Sequence, residues 1–141
     1  VFSAAELADI EARYASARTA DGFFLPRSGG EDGLLDLVRR YPRSNRAGCA
    51  LLDLAQMSTG TRREEYLQQA IGAHDNAWFP SGAQVGAVAR AMLAVHLAGL
   101  QGFDEAERLA AELVKEFPGS IDQTGATLDD TLTAIRLLRV P

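Results

Sequence analysis

The stretch "LVKEFPGS" at residues 113–120 closely resembles "LVRRYPRS" at residues 37–44, and "FPSG" at 79–82 lies between them. Each stretch carries an aromatic residue followed by proline, and consecutive pairs are 38 residues apart. Proline cannot continue an α-helix, and it biases the residue before it away from the helical conformation. The spacing therefore predicts a helix end at each of three aromatic–proline pairs: Tyr41-Pro42, Phe79-Pro80 and Phe117-Pro118.

Equal spacing of helix ends is typical of repeat proteins, in which each unit buries its apolar face by stacking on the next. The unit here is one helix–turn–helix. Three such units fit the chain, over about 5–42, 43–80 and 81–118, and a further helix over about 126–139 forms a terminal cap. This last helix carries one apolar stripe that would cover the third unit: Leu128, Leu132, Ile135 and Leu138.

Apolar residues at helical spacing predict seven helices and no strand, so the predicted fold class is all-α. The first helix begins with Ser3 and Glu6, a capping-box pair in which each side chain satisfies the other residue's backbone amide. The fifth helix is apolar almost all round, which is typical of a helix packed on most sides. The predicted helices span about 3–18, 31–41, 45–59, 61–75, 83–100, 103–117 and 126–139.

The composition predicts one globular domain over residues 1–141, with 47% apolar and 23% charged residues. The net charge of −5 disfavours nucleic acid, because such a surface repels phosphates over most of its area. The uncharged stretches 76–89 and 91–103 are shorter than the roughly 18 apolar residues of a membrane span. We therefore expect a soluble protein of the cytoplasm or periplasm, without membrane insertion. The chain begins with Val1, which is compatible with a removed leader.

Residues 93–118, "LAVHLAGLQGFDEAERLAAELVKEFP", resemble a tetratricopeptide repeat. Leu93 and Ala94 match the large–small pair of the family's first helix. Gly102 falls at the turn, Ala106 matches the small residue where the two helices cross, and Pro118 follows twelve residues later. The match is looser in residues 43–80 and rests on the helical pattern alone in residues 5–42.

The resemblance implies a short right-handed solenoid of helix pairs, whose concave face binds a peptide or a partner protein. Because the sequence shows no set of paired acids, metal ligands or nucleophile with base, we further expect a non-catalytic scaffold without cofactor, metal or catalytic residues, as a monomer or a weak homodimer. The alternatives are a structural or self-assembly domain closed by its own last helix and, more distantly, a small-molecule or hydrolytic site. The family's groove pattern, together with the charge of Arg90, points to these groove residues: Cys49, Leu52, Gln56, Thr59, Val88, Arg90, Ala91, Val95 and Ala98.

Arg90 is the single charged residue between residues 76 and 103. A buried arginine requires an acidic partner, so we expect an ion pair with Glu64 or Glu65 on the preceding helix. In the alternative, Arg90 faces the groove and receives a partner's carboxylate. Trp78 lies in the loop between the second and third units, where we expect it to plug the core; the alternative is an exposed recognition residue.

The remaining candidates have simpler structural explanations. Cys49 lies in mid-helix among apolar residues, so burial is expected in place of a nucleophilic role. His74 and His96 are the two histidines of the chain and are too few for a metal site. We expect His74 to lie at a helix end, near the negative end of the helix dipole, and His96 to be satisfied in the core. The glycine-rich stretch at 27–33 suits a flexible turn better than an anion cradle.

An arginine cluster lies at and just after the C-terminal end of the second predicted helix. It could dock an acidic partner segment, but such residues more often complement the negative end of the helix dipole. The cluster comprises Arg39, Arg40, Arg43 and Arg46.

Before the same helix, Phe23 and Phe24 interrupt a long loop and are expected to fold back onto the core.

Overall fold

The computed structural model describes residues 1–17 and 30–140. This part of the chain contains seven α-helices and no strand longer than an isolated bridge, which confirms the all-α prediction. The expectations for Phe23 and Phe24 and for the first residues of the glycine-rich stretch lie outside the described residues. The helices are α1 (Ala4–Ser16), α2 (Glu31–Arg40), α3 (Asn45–Met57), α4 (Gly60–Ala73), α5 (Val85–Gly99), α6 (Phe103–Glu116) and α7 (Thr131–Arg139).

The capping box predicted at the start of α1 is confirmed. The Glu6 backbone N–H donates to the Ser3 hydroxyl at 3.1 Å, and the Ser3 N–H donates to the Glu6 carboxylate at 2.9 Å. These bonds satisfy two of the amides that a helix N-terminus leaves without partners inside the helix.

Helices α2, α4 and α6 end in the same way, at Tyr41, His74 and Phe117. The N–H of each capping residue donates to the carbonyl four residues earlier at 2.9 Å. Phe79-Pro80 was therefore wrongly predicted as a helix end, because α4 already stops at Ala73, ahead of this pair. The equal spacing of the aromatic–proline pairs is not a spacing of helix ends.

Two short hairpins with the same hydrogen-bond pattern lead into α5 and α7. In the first hairpin, residues 77–85, Val85 N–H donates to Ala77 and Phe79 N–H to Ala83, each at 2.8 Å. In the second hairpin, residues 120–128, the two corresponding bonds measure 2.9 Å. Each tip holds a glycine at positive φ, Gly82 at 95° and Gly125 at 91°, a conformation that strains residues with a Cβ.

Each helix packs against the next one along the chain, from α2 through α7, and α7 also contacts α5. The ten buried residues of α5 confirm that it is packed on most sides. The last helix starts later than predicted, at Thr131, because residues 120–128 form the second hairpin. Leu138 was wrongly placed on its buried stripe: Ile135 is fully buried, whereas Leu138 is 60% exposed.

No described helix has the length and apolar character needed to cross a bilayer.

Candidate binding groove

An open groove with a volume of about 400 Å³ lies beside α5. It contains four of the nine predicted groove residues: Gln56, Val88, Ala91 and Val95. Val88 and Ala91 are buried and form the floor, whereas the Val95 side chain is 54% exposed. The groove therefore offers both an apolar floor and an accessible apolar side chain.

The other five predicted residues lie outside the groove lining. Cys49, Leu52 and Ala98 are buried in the core, which places them out of reach of a partner. Thr59 is the exposed N-cap residue of α4. The sequence shows which residues share one face of a helix, but not which part of that face a neighbouring helix covers. Sequence alone therefore could not distinguish these residues from those that form the groove floor. The fifth residue, Arg90, is described below.

Sequence reasoning missed the walls of the groove, which come from three other parts of the chain and from further residues of α5. Arg63 of α4 donates from Nε to the carbonyls of Ala55 and Ser58, at 3.0 and 2.8 Å, and so ties α4 to the end of α3. The second hairpin supplies Asp122, Gln123 and Leu128, α7 supplies Thr131, and α5 adds Met92 and His96. The closure of the groove by the hairpin depends on long-range packing that no local pattern in the sequence reports.

Asp122 is hydrogen-bonded within the turn of the second hairpin. Its carboxylate accepts bonds from Thr124 N–H at 2.8 Å, Thr124 hydroxyl at 2.6 Å and Ala126 N–H at 3.1 Å. Burial opposes the charge of Asp122, but these bonds outweigh it and lower the pKa of the carboxyl below its ordinary value. The carboxylate is therefore ionised at neutral pH and engaged within its own turn.

His96 also lines the groove, and its side chain is largely buried. Its Nε2 atom lies 3.5 Å from a Glu64 carboxylate oxygen but forms no hydrogen bond with any described residue. The expectation that His96 is satisfied in the core is therefore wrong for this atom. The described part of the chain gathers no group of three or more residues suited to hold a metal ion.

Arg90 belongs to a buried ion-pair network, and its predicted partners were wrong. The guanidinium, in a residue that is 6% exposed, bonds to Asp75 at 2.7 and 3.1 Å and to Glu112 at 2.9 Å. It also donates to the Gly86 carbonyl at 3.0 Å and lies 4.9 Å above the Phe117 ring. Burial opposes the charge, but both carboxylates hold the pKa of Arg90 above its ordinary value. Arg90 thus connects the ends of α4 and α6 to α5.

Trp78 was wrongly expected to plug the core, because the side chain is 49% exposed. Its backbone, in contrast, is firmly held. The Asn45 side-chain amide donates to the Trp78 carbonyl at 2.7 Å and accepts from the Trp78 N–H at 2.6 Å. Cys49 is buried as predicted, with Sγ 3.5 Å from the same carbonyl.

The arginine cluster does not act as one patch. Arg46 forms a two-pronged ion pair with Glu11 at 2.7 and 2.9 Å and lies 4.6 Å above the Tyr14 ring, which ties α3 to α1. Arg40 lies 3.8 Å from Asp36 within α2. Arg39 and Arg43 are exposed. The members of the cluster therefore have separate local environments.

Comparison with known proteins finds no matching family model, no similar curated protein and no similar solved structure. The resemblance to a tetratricopeptide repeat stays a prediction that rests on residues 93–118.

Proposed function

We propose that this protein is a non-catalytic helical scaffold that binds a polypeptide in the groove beside α5. The observation that carries the proposal is the groove itself, with its apolar floor and exposed Val95 beside polar walls. Binding sites commonly combine an apolar lining with a small number of polar groups that orient the ligand. A short apolar side chain or one turn of an apolar helix suits the volume of about 400 Å³.

The polar residues around α5 also fit a binding role better than a catalytic one. Arg90 is bonded to Asp75, Glu112 and Gly86, so its donors are engaged in holding three helix ends together. Asp122 is engaged in its own turn. These side chains act as supports of the groove.

A second candidate function is a structural or self-assembly domain whose groove is closed by its own C-terminal part. Leu128 and Thr131 line the groove, and Ile135 of α7 is fully buried against the core. In this case α7 and the second hairpin occupy the face that a partner would otherwise use. The groove is open along Val95, which favours the first candidate.

A matched pair of variants tests the proposal. Val95→Glu places a charge in the groove, whereas Leu100→Glu places the same charge on the exposed end of the same helix, outside the groove lining. We expect a protein captured from the native host by the wild-type chain to be lost with Val95→Glu and kept with Leu100→Glu. Capture that is equal for both variants would contradict binding in the groove. Equal melting temperatures are the control for folding.

A further inference from the structure

A second surface of the molecule differs from the groove and lies between the two hairpins. A cleft of about 240 Å³ separates them, lined by Trp78 and Gly82 of the first hairpin and by Phe117, Ser120 and Ile121 around the second. The hairpins are close neighbours here, since a Cβ placed on Gly82 would lie 3.7 Å from Ile121 Cδ1. Trp78, which lines this cleft, is about half exposed.

Trp78 and Ile121 occupy equivalent positions in the two hairpins. Each forms an isolated antiparallel bridge, Trp78 with Gln84 and Ile121 with Thr127. In both hairpins the two cross-strand bonds are made by the residues on either side of the bridge. The N–H and C=O of a residue in such a pair point away from the partner strand. Both Trp78 and Ile121 therefore present a donor and an acceptor on the outer edge of the hairpin.

The outer N–H and C=O groups are hydrogen-bonded within the described fold in the first hairpin but not in the second. The Asn45 carboxamide pairs with both outer groups of Trp78, at 2.6 and 2.7 Å. No described residue forms a hydrogen bond to the N–H or C=O of Ile121. Gln84, which lines the cleft, donates instead to the Asp75 carbonyl at 3.1 Å.

A further polar atom in the cleft lacks a partner. The Ser120 hydroxyl is buried, and no described residue forms a hydrogen bond with it. A buried polar group without a hydrogen bond is costly, so the fold is locally destabilised beside the cleft. The cleft thus combines the two open backbone groups of Ile121 with the side of an aromatic ring.

We propose that this cleft binds a polypeptide partner through an asparagine or glutamine side chain, whose carboxamide pairs with the N–H and C=O of Ile121. A carboxamide offers the required donor and acceptor side by side. The chain itself uses this group at the equivalent position, where Asn45 holds Trp78. An apolar residue next to the carboxamide would pack on the exposed ring of Trp78. This binding mode is independent of the groove beside α5.

The experiment uses the whole chain and begins with displayed random dodecapeptides without tryptophan. Enriched peptides are synthesised and titrated by intrinsic fluorescence, which reports on this cleft because Trp78 is the single tryptophan of the chain. We expect the enriched peptides to share an asparagine or glutamine. Replacing that residue by leucine should weaken binding about tenfold, through loss of two hydrogen bonds.

Two proline variants locate the site. Ile121→Pro removes the outer N–H that the ligand would use, and Thr127→Pro removes the outer N–H on the opposite edge of the same hairpin. Neither N–H forms a bond within the described fold. We expect peptide binding to weaken about tenfold in Ile121→Pro and to be unchanged in Thr127→Pro. In the wild type, bound peptide should also slow hydrogen exchange of the Ile121 amide, a readout that requires no variant.

Several results would overturn the proposal. Enriched peptides without a required carboxamide would point to pairing with a peptide backbone instead. Binding lost in Val95→Glu but kept in Ile121→Pro, with no protection of the Ile121 amide, would assign the peptides to the groove beside α5. Failure to enrich any peptide that alters Trp78 fluorescence would also overturn it.

Discussion

The two hairpins share a backbone but are attached to the molecule in different ways. In the first, the alternate residues Ala77, Phe79 and Ala83 are buried in the core. In the second, Asp122 stands at the position of Phe79 and bonds to its own turn. The hydrogen-bond pattern and a glycine at positive φ are thus sufficient for the shape of a hairpin. The side chains decide whether the hairpin becomes part of the core or a wall of the groove.

The largest expected effect concerns the two equivalent positions 79 and 122. Phe79→Ala should lower the free energy of unfolding by about 3–5 kcal/mol, because it empties a buried aromatic site. Asp122→Ala should cost only about 1 kcal/mol, because the lost hydrogen bonds are exposed. Urea unfolding of both variants measures the difference. Equal costs would mean that the second hairpin is as strongly coupled to the core as the first.

A second comparison tests how the helix that follows the second hairpin is packed. Ile135→Ala should cost about 2–5 kcal/mol, because Ile135 is fully buried where α7 meets the core. Leu138→Ala, the same kind of truncation one turn later, should change stability by less than about 0.5 kcal/mol. Thermal unfolding of the two variants checks this. A large loss with Leu138→Ala would place the apolar stripe of α7 where the sequence predicted it.

The tip glycines test whether the two hairpins share their backbone conformation. Gly82→Ala and Gly125→Ala should each cost about 1–2 kcal/mol, because both glycines have positive φ. Gly72→Ala is the control: this glycine lies in α4 with open space around it, and alanine there should stabilise the helix by about 0.5–1 kcal/mol. Chemical denaturation would contradict the equivalence if only one tip variant lost stability.

The smallest expected effect is a dependence of stability on pH. It arises from His74, which precedes the first hairpin, and has no counterpart at Phe117, which precedes the second. Burial lowers the pKa of His74 below its ordinary value of 6.5. The unfolded chain therefore binds a proton at a higher pH than the folded chain. The contribution of His74 to stability is complete above about pH 6.5 and is lost as the pH falls towards the folded pKa.

The variant His74→Gln should flatten this part of the stability profile. Unfolding free energies measured between about pH 7 and pH 5.5 should depend less on pH in the variant than in the wild type. This window lies above the range in which the carboxylates titrate. Identical profiles would show that the pKa of His74 is the same in the folded and the unfolded chain, contrary to its burial.

Part of the lining of the candidate groove could be predicted from the sequence. The family's groove pattern pointed to Val88, Ala91 and Val95, and the structure places all three in the lining of the groove beside α5. Leu52 and Cys49, to which the same pattern pointed, are buried, because α3 is covered by its neighbours. The periodicity of a helix shows which residues share a face, but the neighbouring elements determine whether that face is open.

The sequence by itself determined the helical class, the capping box at Ser3 and the burial of Cys49. Helices form through bonds between residues four apart and through apolar periodicity, and both are local properties of the chain. Only the tertiary structure decided that Arg90 pairs with Asp75 and Glu112, and that Trp78 is exposed while Phe79 is buried. These outcomes depend on which distant segments meet, and the same local sequence is compatible with several such arrangements.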